Sequence, residues 1–232
     1  MRSCTVKSVQ ADGSIVLRDV TVRYGSRIAL NGVSGEFRAG SLTAVVGANG
    51  AGKSTLLAAI AGTTRLARGS IARSAGSLAY LPQRTLIDLN YPMTVSELIM
   101  LGAWHEFGVF RAPDRATRSR LAAAAHMVEL TGRLQRRIDE LSVGELQRAL
   151  FARLILQDAA TILLDEPFAA VDEQTANVLL QQAVRWHQDG RTVIAVLHDL
   201  DMVRRWFPAT VVLAQQCIAW GPTEVALPAE AA

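Results

Sequence analysis

The sequence predicts an α/β fold: a mainly parallel sheet with helices on both faces. Two observations predict it. Short apolar runs such as LTAVV (42–46), TILLDEP (161–167) and TVIAVLHD (192–199) are too brief for helices and read as strands. Stretches of helical period stand between them, and strands alternating with helices indicate parallel pairing.

The elements follow in order. SIVLRDVTVRY (14–24) sets Ile15, Leu17, Val20 and Val22 among polar residues, and its phase breaks near Arg18 and Asp19. LTAVV is a buried strand, GANGAGKST (47–55) follows it, and LLAAIAG continues as a helix that Gly62 ends. GSIARSAGSLAYLPQ (69–83) predicts two short strands around a turn. From Tyr91 to Asp139 the pattern is helical throughout. TVSELIMLGAW (94–104) opens with a capping box, Thr94 with Glu97, and ATRSRLAAAAHMVELTG (116–132) predicts a helix stopped by Gly132. A helix after LSVGELQ runs to about Gln157. Another spans about Glu173 to Gln188, closed by Gly190, and ATVVLAQQCIAWG (209–221) holds the last strand pair. No internal repeat or low-complexity linker interrupts the 232 residues, a length that suits one large domain or a core with an insertion.

Composition narrows the function. A net charge of +3 does not argue for nucleic acid, and the arginines of RAPDRATRSR and GRLQRRID read as solvated helix faces. Cys4 and Cys217 have no metal-binding or disulfide spacing, which favours a reduced, cytosolic setting. The opening residues lack the apolar core of a signal peptide, and no run approaches a membrane-spanning length.

Chemistry concentrates in two motifs. GANGAGKST (Gly47, Ala48, Asn49, Gly50, Ala51, Gly52, Lys53, Ser54, Thr55) fits G-x-x-x-x-G-K-[ST] between a strand and a helix. Its backbone amides can turn inward around phosphate oxygens, aided by the positive helix end. Lys53 would reach the β- and γ-phosphates of ATP, and Ser54 would offer a hydroxyl to Mg²⁺. In ILLDEP, Asp165 ends a strand as a further Mg²⁺ ligand, and Glu166 is a candidate base for the attacking water. Gln83 is a candidate for contact with Mg²⁺ or that water, His198 for the γ-phosphate, and Tyr24 for stacking on adenine. Each of these three alone would read as an ordinary packing or surface residue. Their order relative to the two motifs singles them out.

Tyr24, GANGAGKST, Gln83, LSVGELQ, ILLDEP, AAVD (169–172) and His198 together resemble the motif set of ABC transporter ATPase subunits, over nearly the whole chain. The resemblance implies a P-loop NTPase core of ABC type with an antiparallel β portion and an inserted helical subdomain. The corresponding boundaries are a core of 1–87 and 140–232 and a helical subdomain of 88–139. It also implies a homodimer closing head to tail on two ATP molecules. Ser142, Val143, Gly144, Glu145 and Asp172 of one subunit would then complete the site of the other. Further implied partners are a separate membrane permease and, indirectly, an extracytoplasmic substrate-binding protein, with the ATPase peripheral on the cytoplasmic face.

RTLIDLNYPMTVSELIMLGAW (84–104) is similar to the matching region of zinc, manganese and iron-chelate importers, which favours a zinc or manganese importer. The alternatives are another cargo, such as an iron chelate or haem, and a soluble non-transport ABC ATPase. The latter would normally add coiled coils or a second ATPase domain. A non-hydrolysing regulator would be expected to lack Glu166 or Lys53, and both are present.

LSVGELQ departs from the family's common Leu-Ser-Gly-Gly-Gln, with Val143 for a glycine and Glu145 for the glutamine. Valine is disfavoured at positive φ, so position 143 is expected to be an ordinary helix-start residue. Ser142 and Glu145 also form a capping-box pattern, which would turn the carboxylate back toward the Ser142 amide.

Overall fold

The computed structural model describes residues 13–83, 91–108, 112–169 and 171–228. The chain begins with β1 (Ile15–Tyr24), β2 (Arg27–Phe37), β3 (Leu42–Val46), α1 (Lys53–Ala61), β4 (Arg68–Arg73) and β5 (Leu78–Leu81). Helices then dominate: α2 (Val95–Met100), α3 (Trp104–Phe107), α4 (Arg115–Met127) and α5 (Val143–Gln157). The remainder alternates through β6 (Thr161–Asp165), α6 (Glu173–Gln188), β7 (Thr192–Val196), α7 (Leu200–Trp206), β8 (Ala209–Ala214), β9 (Gln216–Pro222) and α8 (Thr223–Ala226).

Two sheets result. The larger has the order β5-β6-β7-β3-β8-β9, parallel from β5 to β8 with β9 antiparallel at the edge. The smaller, β2-β1-β4, is antiparallel. Side-chain alternation on the central strands builds a core on each face of the larger sheet. Leu163, Ile194 and Val45 pack with α1 and the antiparallel sheet, whereas Ile162, Leu164, Val193 and Ala195 pack with α5, α6 and α2. This double burial explains why β3, β6 and β7 read as unbroken apolar runs.

The phase break in β1 is a bulge. Its register with β2 shifts between Leu17 and Val20, and Asp19 takes φ 52° while its carboxylate meets Arg68 at 2.8 Å. The helix α6 and its flanking Gly190, with φ 79°, lie where the periodicity predicts them.

Several expectations need correction. β2 has no clear signal in its sequence, RIALNGVSGEF, because Asn31, Gly32 and Gly35 interrupt the alternation. Gly35 is needed for packing: a Cβ there would fall 2.5 Å from the Trp220 ring, which also packs on Phe37 at a centroid distance of 4.5 Å. The strands predicted in 69–83 are β4 and β5, but they belong to different sheets. The helix predicted over 116–132 ends at Met127; the chain turns at Glu129, with φ 58°, and the Leu130 amide donates to Ala125 O at 2.8 Å. His198 lies two residues beyond β7, which ends at Val196, and the following helix α7 was not anticipated. Residues 84–90 of the importer-like stretch, Cys4 and Ala170 lie outside the described residues.

Candidate functional site

The carboxyl ends of parallel strands are where an open α/β sheet binds ligands. Four such ends meet here. Gly47 follows β3, Gln83 follows β5, Asp165 ends β6 with Glu166 next, and His198 follows β7. Gln83, Glu166 and His198 border a cavity of about 610 Å³, which Gly47 and Asp165 do not line directly. Of the sequence-predicted residues, Tyr24, Asn49, Gly50, Gly52, Lys53, Ser54, Thr55, Gln83, Glu166 and His198 line it.

The loop from Gly47 to Gly52 is shaped by close packing. A Cβ on Gly47 would lie 2.2 Å from Leu213 O, and one on Gly52 would lie 2.4 Å from Ala29 O. Both glycines have positive φ, so the loop can pass between β8 and β2 and enter α1. Ala51 is buried beneath it. Lys53 is only 5% exposed, and its ammonium donates to Gly47 O at 2.9 Å and Ala48 O at 3.1 Å. Burial lowers the Lys53 pKa below its ordinary value, opposed by the nearby Glu166 and Asp165 carboxylates.

Ser54 Oγ donates to Asp165 Oδ1 at 3.0 Å. Asp165 is 3% exposed, and burial raises its pKa, against the pull of the Ser54 hydrogen bond. A buried carboxylate beside a hydroxyl is an all-oxygen donor pair suited to a hard divalent cation, so these residues fit Mg²⁺.

Glu166 stands at φ 50°, a conformation rare outside glycine, and receives two donors. Gln83 Nε2 donates to its Oε2 at 2.6 Å, and His198 Nε2 pairs with its Oε1. The amide, the imidazole and the carboxylate therefore form one cluster facing the cavity. Tyr24 lies at the tip of the β1–β2 hairpin and is 53% exposed, so its ring is open to a ligand. Its hydroxyl lies 3.3 Å from Thr64 Oγ1.

LSVGELQ is set apart from this cavity: neither Ser142, Val143, Gly144 nor Glu145 lines it. Val143 begins α5 and is not among the residues of positive φ. Both arms of the capping box are present. The Glu145 amide donates to Ser142 Oγ at 3.2 Å, and the Ser142 amide donates to Glu145 Oε2 at 2.9 Å. The other carboxylate oxygen of Glu145 meets Arg133 Nε at 3.2 Å. The Ser142 hydrogen bond and the charges of Arg133 and Arg136 hold the Glu145 pKa below its ordinary value. Asp172 caps α6 through the Thr175 amide at 2.8 Å, and its Oδ2 would lie 3.4 Å from a Cβ on Gly144. Gln147 Nε2 donates to Pro167 O at 2.8 Å, which ties α5 to the loop after Glu166.

Sequence reasoning missed Arg27 and Ala29, which also line the cavity. They belong to β2, the strand whose glycines hid it, although Arg27 lies only three residues after Tyr24.

Residues 30–169 match the family described as ABC transporter. The manganese transport system ATP-binding protein MntB of Listeria monocytogenes is 33% identical over 215 residues, 90% of each chain. The zinc transport system ATP-binding protein TroB of Treponema pallidum is 33% identical over 94% of this chain and 83% of its own. A solved structure described as a metal-chelate type ABC transporter in an inward-facing conformation superposes with a TM-score of 0.83 at 26% identity, covering 93% of this chain and 86% of the other. With the P-loop and the acidic strand end converging on one cavity, the chain belongs to the ABC transporter family, as an ATP-binding subunit that hydrolyses ATP.

Proposed function

We propose that this chain powers the uptake of a transition metal, zinc or manganese, through a separate membrane permease. The observation that carries the hydrolytic part is the cluster of Gln83, Glu166 and His198 beside Lys53 and the Ser54–Asp165 pair. The similarity to MntB and TroB over most of the chain supports the cargo.

The geometry supports a role for each residue in this reading. The loop amides and Lys53 bind the β- and γ-phosphates, and the Tyr24 ring stacks on adenine. Ser54 and Asp165 would hold Mg²⁺, with Gln83 as a further oxygen donor. That ion would neutralise charge developing on the phosphates. Glu166 accepts a proton from the attacking water, while Gln83 and His198 fix the direction of its carboxylate. Once ATP is bound, His198 would donate to the γ-phosphate, and Gln83 would remain on the Glu166 carboxylate.

The active unit in this reading is a head-to-tail dimer. Ser142 and Gly144 of one subunit face the phosphates of the other, and Val143 and Glu145 stay within the helix start. The positive end of α5 favours the γ-phosphate there. Glu145 would repel it, but the carboxylate is turned back onto the Ser142 amide and Arg133. Asp172, adjacent to Gly144, links this surface to the loop that carries Glu166. In this reading the helical elements between Val95 and Met127 belong to the subdomain that carries dimer closure to the permease. The ATPase is thereby held at the cytoplasmic face of the membrane; no helix among the described residues is long and apolar enough to cross one.

Reconstitution with the cognate permease tests the cargo. Binding proteins loaded with zinc or manganese should stimulate ATP hydrolysis, and stimulation confined to an iron chelate or haem would overturn the metal assignment.

A further inference from the structure

We propose that Arg27 is a phosphate-binding residue of the nucleotide site, acting alongside Lys53. The proposal rests on the cavity being the site of ATP. It begins with the hairpin that joins β1 to β2. Tyr24 and Arg27 are register partners across this tight turn, so one hairpin tip presents an aromatic ring and a guanidinium side by side. Both line the cavity.

The guanidinium has a defined place. A Cβ built on Gly50 would lie 3.3 Å from Arg27 Nη2, and apart from its chain neighbours it would have no other atom within 4 Å among the described residues. Arg27 therefore lies against the middle of the P-loop, whose amides lead into α1. An exposed arginine is usually no more than a solvated cation. This one faces the loop that would hold phosphate, and it has no side-chain hydrogen bond or ion pair among the described residues.

Charge balance supplies the reason for a second cation. Lys53 is turned onto the loop carbonyls, and its charge faces both Asp165 and Glu166. Among the side chains alone, one ammonium faces two carboxylates, so before Mg²⁺ is in place a further fixed cation favours entry of the polyanion. Arg27 adds a permanent positive charge beside Gly50 of the loop. Its planar fork of donors matches phosphate oxygens. With Tyr24 offering a face for the base, the guanidinium is assigned to the phosphates, and the hairpin tip becomes a two-part clamp.

Nucleotide titrations of the full chain test this. ATP and GTP affinities would be measured at low and high salt for the wild type, R27A and R27K, together with kcat and the melting temperature. R27A is expected to weaken ATP binding about tenfold, as for the loss of a charge-assisted hydrogen bond. R27K should recover part of the loss. The salt dependence should be shallower in R27A, with the preference for ATP over GTP and the melting temperature unchanged. Unchanged affinity in R27A, or a loss confined to kcat, would overturn the proposal. So would an altered ATP-to-GTP preference with the wild-type salt dependence, which would mean contact with the base. Absence of ATP binding by the wild type would remove the site altogether, whereas normal wild-type binding with an unaffected R27A removes only the role of Arg27.

Discussion

Gln83 donates to the Glu166 carboxylate at 2.6 Å although the two residues are 83 positions apart in the chain. Parallel pairing of β5 with β6 makes the contact, because Leu81 and Leu164 are register partners and both strands end at the same edge. His198 reaches the same carboxylate from the neighbouring β7.

Glu166 is the proposed base in this cluster. Glu166→Gln should therefore retain ATP affinity while kcat falls roughly a hundred- to ten-thousand-fold. Equilibrium nucleotide binding and single-turnover hydrolysis separate the two effects. Near-normal turnover would remove Glu166 from that role.

Among the described residues the Tyr24 side chain makes one polar contact, through its hydroxyl, so its ring is the part to test. Tyr24→Ala should raise KM for ATP more than it lowers kcat, whereas Tyr24→Phe should stay close to the wild type. A turnover defect at unchanged nucleotide affinity would argue against stacking.

The capping box of Ser142 and Glu145 gives a stability effect independent of catalysis. Ser142→Ala should cost about 1 kcal/mol of stability, read from urea midpoints. Because the folded-state pKa of Glu145 is lowered, its ionised form contributes stability that is present above the unfolded value. That contribution is lost as pH falls through the lower folded value. Glu145→Gln should therefore flatten the acid-side decline in stability, and an unaltered pH profile would contradict the carboxylate's role in the cap.

Gly102 tests the packing of the segment after α2 onto α5. A Cβ there would lie 2.2 Å from Arg153 O, a backbone atom that cannot move without displacing α5. Gly102→Ala should lower stability by about 1–3 kcal/mol, measured as a shift in thermal or urea midpoint. Full stability in this variant would show that α5 yields easily.

Much of this molecule is legible in one dimension because its signals are local. Apolar runs with no polar face identify β3, β6 and β7, and Ser-x-x-Glu and Thr-x-x-Glu mark the starts of α5 and α2. A glycine-rich loop between a strand and a helix identifies the P-loop. These features depend on backbone geometry and burial within a few residues, so the sequence alone determined them. Tertiary structure decided what depends on distant neighbours. It sends β4 and β5 to different sheets, since either sheet satisfies a short strand's hydrogen bonds. It makes a strand of Arg27–Phe37 by pairing it with β1, and Trp220, far along the chain, fills the space that Gly35 leaves. It ends α4 at Met127 through the left-handed turn at Glu129, and it sets Arg27 against Gly50 through the register of a hairpin. Local propensity states which element a segment prefers, but only packing between separated segments decides which residues share a site.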